Sequence, residues 1–308
     1  MNMETTFLTD QQIWGDDQGK GQLQVMKAYG TKTGMSDLAV VLGGIMGSSN
    51  ETSDNQRSGA VWSASSNVFG DVRTVYNNGD RSYYDPYQLL CGARPALPSS
   101  VTSSIRLSEA KPSRKISGVD VVEYGEYPQT IAPEEVSEKL EKALTTRKLQ
   151  ATGKKYTFDG EEEDAYDTPF SAKEYIEYQH NGKRYIRVEA KPYDEDSVLS
   201  NGHTPEAGEA CWIEVKPIEW LRDPSGICVA RQALFAGVQF DKNKSYDGDF
   251  AKTDMKQYLQ NHFAKEMQAG LAKTTTPDAP VVGPQTAAVA DHRAKQRQRA
   301  LDDPSQGL

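Results

Sequence analysis

The chain has 308 residues, with 35 Lys and Arg against 44 Asp and Glu, a net charge of −9 at pH 7. At 37% apolar residues, with no apolar run near the roughly 18 residues a spanning helix needs, it is neither collagen-like nor a membrane-inserted chain, and its length suits about two domains. The acid is concentrated in residues 115–270 (20 basic against 29 acidic), while 1–114 carry 10 against 11 and 271–308 carry 5 against 4, which disfavours nucleic acid as a partner of the folded parts.

Residues 1–7 have neither a basic n-region nor an apolar h-region, which predicts no signal peptide and a virion or cytoplasmic location. Thr9 and Gln12 stand at capping-box spacing before a short helix, and Ser36 caps a second one that Gly43-Gly44 stops. Short strands are expected at 60–63, 71–76 and 81–84, the last two joined by a turn at 77–80. A polar, Ser- and Pro-containing stretch follows, and it predicts a linker at 108–117.

Beyond it, 119–127 reads as a strand. Pro133 opens a surface helix whose Val136, Leu140 and Leu144 fall four apart on one face. Tyr175-Ile176-Glu177-Tyr178 and Tyr185-Ile186-Arg187-Val188 flank Asn181-Gly182, the pair that a type I′ hairpin turn prefers. Strands are expected at 211–215, 218–221 and 227–230. After Phe250 a helix places Met255, Tyr258, Leu259, His262, Phe263 and Met267 on one buried face. Residues 271–308 contain no aromatic residue and are expected to be a disordered tail, with a transient polar helix at 287–301.

Catalytic signals are weak. His180, His203, His262 and His292 show no metal-ligand spacing, and no GxSxG, Walker or GxGxxG pattern occurs. Cys91, Cys211 and Cys228 form no CxxC pair and are read as buried thiols. No cofactor is expected, calcium being the one cation with candidate loops. The run Asp159-Gly160-Glu161-Glu162-Glu163-Asp164 has the oxygen ligands calcium takes, although a run of like charge is usually a solvated loop. The stretch 241–249 alternates oxygen ligands as an EF-hand does, but Tyr246 stands where Gly is needed and Lys252 where a bidentate Glu belongs, which leaves a turn-rich connection.

The most informative stretch is 62–97. It concentrates Ser, Asn and Tyr around Gly70 and Gly79. Tyr supplies amphipathic contact area at little entropy cost while Ser, Asn and Gly supply adaptable hydrogen bonds, as in antibody loops. The same residues are also good strand and turn formers, and composition leaves both readings open.

Val61-Trp62-Ser63, Gly70-Asp71-Val72-Arg73-Thr74-Val75, Gly79, Arg81-Ser82 and Gly92-Ala93-Arg94-Pro95-Ala96-Leu97 resemble the closing portion of the C-type-lectin-like fold of formylglycine-generating-enzyme relatives. They are more similar still to proteins of gut bacteria and phages that finish with W-[ST]-x-S, a V-x-x-V strand and G-V-R-P-A-L. Glu123-Tyr124-Gly125-Glu126-Tyr127-Pro128-Gln129, Pro217-Ile218-Glu219-Trp220 and the 253–263 helix resemble the GxYPQ, PIEW and S-x-L-R-x-W-L-N-x-x-F motifs of domain of unknown function family 6273. The order of these parts is reversed relative to the family, so two domains, or one fold from a rearranged chain, would account for them.

The resemblance implies an α+β chain: a C-type-lectin-like recognition domain with two short helices at 1–107, a linker at 108–117, an acidic α+β domain at 118–270 and the tail at 271–308. Cys91 lacks the second cysteine on which the enzyme branch relies, so oxidase activity does not carry over. The binding branch, which includes retroelement-diversified relatives, implies a frame of Trp62, Val72, Val75, Arg94 and Leu97. Arg94 would pair with a carbonyl or carboxylate of that frame. Asn67, Tyr76, Asn77, Asp80, Tyr83, Tyr84 and Tyr87 would face outward.

The function expected on this basis is non-enzymatic recognition of a cell-surface protein or glycan by a phage or prophage virion component, without nucleic acid or membrane insertion. The alternatives are an assembly protein contacting neighbouring virion proteins, a homo-oligomer, or a formylglycine-generating-enzyme-like or metal-dependent enzyme.

Overall fold

The computed structural model describes residues 3–161, 164 and 166–268. The expected tail at 271–308, Glu162 and Glu163 lie outside the described residues. The architecture is α+β, dominated by sheets with few short helices. At its centre is the 13-residue strand Ala210–Arg222. Its first half pairs antiparallel with Lys183–Glu189 and its end with Cys228–Ala230, while Val119–Ile131 runs along its other side from Ile213↔Ile131 to Arg222↔Asp120. Gln150–Asp159, Ala172–His180, Arg114–Ile116 and Ala96–Leu97 complete an eight-stranded sheet.

Two smaller sheets flank it. One orders Gln232–Ala233, Thr33–Met35, Arg57–Gly59 and Met46–Glu51; the other orders Val61–Ser66, Val72–Val75 and Arg81–Tyr84.

Local chemistry accounts for most of these elements. In helix Asp10–Trp14 both halves of the Thr9/Gln12 capping box are made, and Ser36 accepts from the Ala39 N–H to start Asp37–Val41. Asn181 and Gly182 take φ of 49° and 78°, the positive values a type I′ turn demands. In the central strand Pro217 cannot donate to the ladder, the register shifts there, and the Gln129 Nε2 group donates to the carbonyls of Lys216 and Pro217 at 2.8 and 3.0 Å. The last helical run is Asp254–Tyr258, a π-helical turn at Leu259–Phe263 and Ala264–Gln268. Met255, Tyr258, Leu259, Phe263 and Met267 are buried as expected, and His262 is partly exposed.

The expected division at 108–117 needs correction. The described residues up to Gln268 belong to one compact unit, and one core cluster runs from Met3 to Met267. The expected linker is itself structured: a 3-10 turn at Leu107–Glu109, then Arg114–Ile116 hairpinned onto Val119–Ile131 through Ser117 and Gly118, both at positive φ. The Arg222 guanidinium fastens it by donating to the carbonyls of Leu107, Ser108 and Ala110.

The two halves share sheets as well. Ala96–Leu97 pairs with Cys228–Ala230, and Thr33–Met35 pairs parallel with Gln232–Ala233. Segments that read as separate domains therefore cannot bury their edges or apolar faces without each other.

Candidate functional site

The expected frame is in place. Trp62, Val72, Val75 and Leu97 are buried, and buried Arg94 donates from Nε to the Ala230 carbonyl at 2.7 Å and from Nη1 to Thr33 Oγ1 at 3.0 Å. The seven expected binding residues do not form one surface. Strand Val72–Val75 is four residues long, so the turns at its two ends are separated by roughly 10–14 Å at about 3.4 Å per residue. Asn67 occupies one end and Asn77 with Asp80 the other.

Asn67 builds its own turn. Its Oδ1 accepts from the backbone of Phe69 and Asp71 at 2.8 and 2.9 Å, and its Nδ2 donates to Asp71 Oδ2 at 2.8 Å. Asn77 is half-buried, with its carbonyl accepting from Ser58 Oγ. Asp80 is exposed and accepts from Asn78 Nδ2 at 2.7 Å. The Asn67 and Asn78 side chains brace their own turns, and Asn77 Nδ2 donates to the Met46 carbonyl at 3.5 Å, so Asn67, Asn77 and Asp80 are spread over two turns.

Pleating separates the tyrosines. Register pairs Tyr83 with Arg73 and Tyr84 with Val72, so the two neighbours point to opposite faces. Tyr83 is 55% exposed. Tyr76 and Tyr84 are half-buried and pack against the core, so they do not face freely outward. Burial, then the nearby Cys91, Tyr76 and Tyr193, push the Tyr84 hydroxyl well above its ordinary pKa. Tyr87 donates to Asp85 Oδ2 at 3.3 Å and meets Tyr166 edge to face with centroids 6.0 Å apart. Lys244 Nζ lies 3.6 Å from the Tyr166 ring centroid.

The sequence left one feature unassembled: a cleft of about 510 Å³ whose described lining includes none of the seven expected binding residues. Its walls come from distant stretches, with Leu89 and Leu90 on one side, Asp159, Glu161 and Asp164 on another, and Tyr175, Glu189, Lys191 and Tyr193 along the end of the long hairpin. Strand register holds Tyr175 opposite Tyr156, and burial with the neighbouring Glu189 pushes its hydroxyl up to about 12. Tyr193 is 49% exposed.

The acids are positioned by backbone. Asp164 Oδ1 accepts the Leu89 N–H at 2.9 Å, tying this wall to the first half of the chain. Asp159 Oδ1 accepts from Glu161 and Ser171 N–H groups at 3.2 Å each, and its carboxyl is held above the usual range chiefly by burial. The acidic run was the one local signal for this site.

A second cleft, of about 370 Å³, is lined by Gln56, Gln129 and Gln232. Gln56 Nε2 donates to Gln232 at 3.2 Å and Gln232 Nε2 to Gln129 at 3.1 Å. Beside it Asp37 accepts from the Ile131 N–H and from both the N–H and hydroxyl of Ser200 at 2.6–2.7 Å.

Among the described residues no histidine or cysteine lines either cleft. Among the described residues no group of three or more His, Cys, Asp or Glu is arranged to hold a metal, and no helix is long and apolar enough to cross a membrane. The three cysteines are buried free thiols, and burial raises the pKa of each, Cys211 and Cys228 to about 12. No protein-family model, curated protein or solved structure matches the chain.

Proposed function

We propose that the chain is a non-enzymatic ligand- or receptor-recognition protein of C-type-lectin-like type, a virion-associated component of a phage or prophage, and that the tyrosine-edged cleft seats its ligand. The observation that carries this reading is a cleft of about 510 Å³ whose wall carries Tyr175, held on a paired strand, and the half-exposed Tyr193. Concave sites of a few hundred Å³ with rigid aromatic walls and a few fixed polar groups suit small ligands and protruding side chains. A cell-surface protein or glycan is the intended partner.

The test is a labelled chain on an array of glycans and peptides. Tyr193→Ala is expected to abolish the retained signal while the thermal midpoint stays within about 2 °C of wild type, as for an exposed side chain. Retention of the signal in that variant would move the site elsewhere.

A second reading is favoured by Val68 and Phe69, 90% and 82% exposed at the tip of the hairpin that joins Val61–Ser66 to Val72–Val75. Adjacent exposed apolar side chains suit packing against a neighbouring subunit in an assembly. A defined oligomer on sizing that dissociates in Phe69→Ser would support it.

A further inference from the structure

We propose that Asn181 is a site of spontaneous deamidation, converting to aspartate and isoaspartate at the tip of the hairpin Ala172–Glu189. The site lies in neither cleft and is independent of the recognition reading. Asn-Gly is the pair in which this reaction meets least hindrance, because glycine has no Cβ to block the approach of its amide nitrogen to the asparagine carboxamide. The sequence holds three such pairs, at 78–79, 181–182 and 201–202. Their local surroundings differ.

In the reaction the glycine main-chain nitrogen, its proton lost to solvent base, attacks the asparagine Cγ. The N–Cγ bond forms, the Cγ–Nδ2 bond breaks, and Nδ2 takes a proton from water and leaves as ammonia. Water then opens the cyclic imide. Opening at Cγ gives aspartate and opening at the main-chain carbonyl gives isoaspartate. Either way one water is consumed, one ammonia is released, and nothing is oxidised or reduced.

The attack needs a glycine nitrogen free of hydrogen bonds, a carboxamide free to turn, and room around both. The Gly182 N–H has no hydrogen-bond partner among the described residues. Asn181 Nδ2 has a single contact, His180 Nε2 at 3.3 Å, and its Oδ1 has none among the described residues. Both residues are exposed, and nothing stands within 4 Å of the point a Cβ on Gly182 would occupy. The last ladder pair, His180 with Lys183, closes the tip, and fraying of that pair gives the backbone the rotation the attack requires.

The other two pairs are held. The Gly202 N–H donates to the Leu199 carbonyl at 2.9 Å, and Asn201 Oδ1 accepts the His203 N–H at 3.0 Å. The Gly79 N–H donates to the Tyr76 carbonyl at 2.9 Å, and its carbonyl accepts from Thr31 Oγ1 and Trp14 Nε1. The Asn78 carboxamide is bound at both ends by Asp80. Each hydrogen bond that must open first lowers the reactive population roughly fivefold. At the 181–182 tip the outcome is structural as well: isoaspartate adds a methylene carbon to the main chain of a turn that fixes strand register, and both products place a new carboxylate next to Lys183, which pairs with Glu214 at 3.0 Å.

The experiment is incubation of the full chain in mildly alkaline buffer, native and in guanidinium chloride, followed by peptide mapping by mass spectrometry and detection of isoaspartate with an isoaspartyl methyltransferase. In the native chain the peptide carrying Asn181 is expected to gain the mass of an –NH2 to –OH exchange more than about tenfold faster than those carrying Asn201 or Asn78, because two or more hydrogen bonds hold each of the others. Isoaspartate should be among its products. In denaturant the three pairs should react at similar rates. Three outcomes overturn the proposal: conversion of Asn78 or Asn201 as fast as Asn181 in the native chain; an Asn181 that stays intact in the native chain while the unfolded chain deamidates; or aspartate without isoaspartate, which is direct hydrolysis rather than attack by the Gly182 nitrogen.

Discussion

In the three-stranded sheet near the N-terminus Tyr83 stands half in water and Tyr76 and Tyr84 enter the core only part-way, whereas Tyr127, Tyr156 and Tyr258 in the main body are enclosed with their hydroxyls engaged. The Tyr127 and Tyr258 hydroxyls lie 3.4 Å apart, Tyr258 donates to the Thr157 carbonyl at 2.6 Å, and Tyr156 donates to Glu177 Oε2 at 2.8 Å. One residue type thus serves as adaptable surface in one region and as core filler in the other. What separates the roles is the availability of an internal acceptor and the side of the pleat on which the ring emerges.

The largest way to break this contrast is to delete a ring from the enclosed set. Tyr258→Ala is expected to lower unfolding free energy by about 4 kcal/mol, as large aromatic truncations in a packed core do. Tyr258→Phe, which keeps the ring and removes only the hydroxyl, should cost about 1 kcal/mol. Urea unfolding of the two variants separates the contributions. Equal costs would mean that the hydroxyl network, rather than packing, dominates.

The enclosed set also carries a titrating neighbour. Glu266 Oε1 accepts the Thr157 N–H at 3.0 Å while its Oε2 has no hydrogen-bond partner among the described residues, and burial raises its pKa from 4.5 to about 7 against the opposing pull of Thr157 and Lys154. Between those two values the folded chain holds a proton that the unfolded chain has released. This contribution to stability is therefore full below pH 4.5 and is lost as pH rises through about 7, by up to about 3 kcal/mol.

Neighbouring His262, 3.8 Å from Glu266 through Nδ1, has its pKa lowered by burial and so acts in the opposite direction as pH falls below 6.5. Comparing Glu266→Gln with wild type isolates the carboxyl. The variant should gain on wild type between about pH 5 and pH 8, and parallel pH profiles would contradict the assignment.

Legibility followed the range of the interactions. The caps at Thr9 and Ser36, the Asn181-Gly182 hairpin and the buried face of the last helix depend on residues a few positions apart, and each was readable. The strand Gln150–Asp159 escaped because its first six residues hold no apolar side chain larger than Ala151 and are mostly exposed, so no alternation marks it. Ser117-Gly118 resembled linker composition although both residues supply the positive φ of a hairpin turn.

Pairing of Ala96 with Val229, and of Gly34 with Gln232, brings together segments more than a hundred residues apart, which no local pattern encodes. The cleft failed to appear for the same reason: Leu89, Asp159, Tyr175 and Tyr193 meet only once those sheets have closed. Of the expected site, the frame was legible in Trp62, Val72, Val75, Arg94 and Leu97, but the pleat that divides Tyr83 from Tyr84 depends on register and was not.

That division supplies the finest test. Tyr83 and Tyr84 are adjacent, chemically identical and in the same four-residue strand, so helix or strand propensity, charge and unfolded-state effects are nearly matched between their alanine variants. Tyr84 packs against the core beside Tyr76, and its truncation should cost about 2 kcal/mol, in proportion to a ring half removed from water. Tyr83→Ala should change stability by no more than about 0.5 kcal/mol, because an exposed ring leaves no cavity behind. Denaturant midpoints of the pair measured side by side decide the matter. A cost for Tyr83→Ala that matches Tyr84→Ala would mean that both faces of this small sheet are structural, leaving Tyr83 no role as free contact surface.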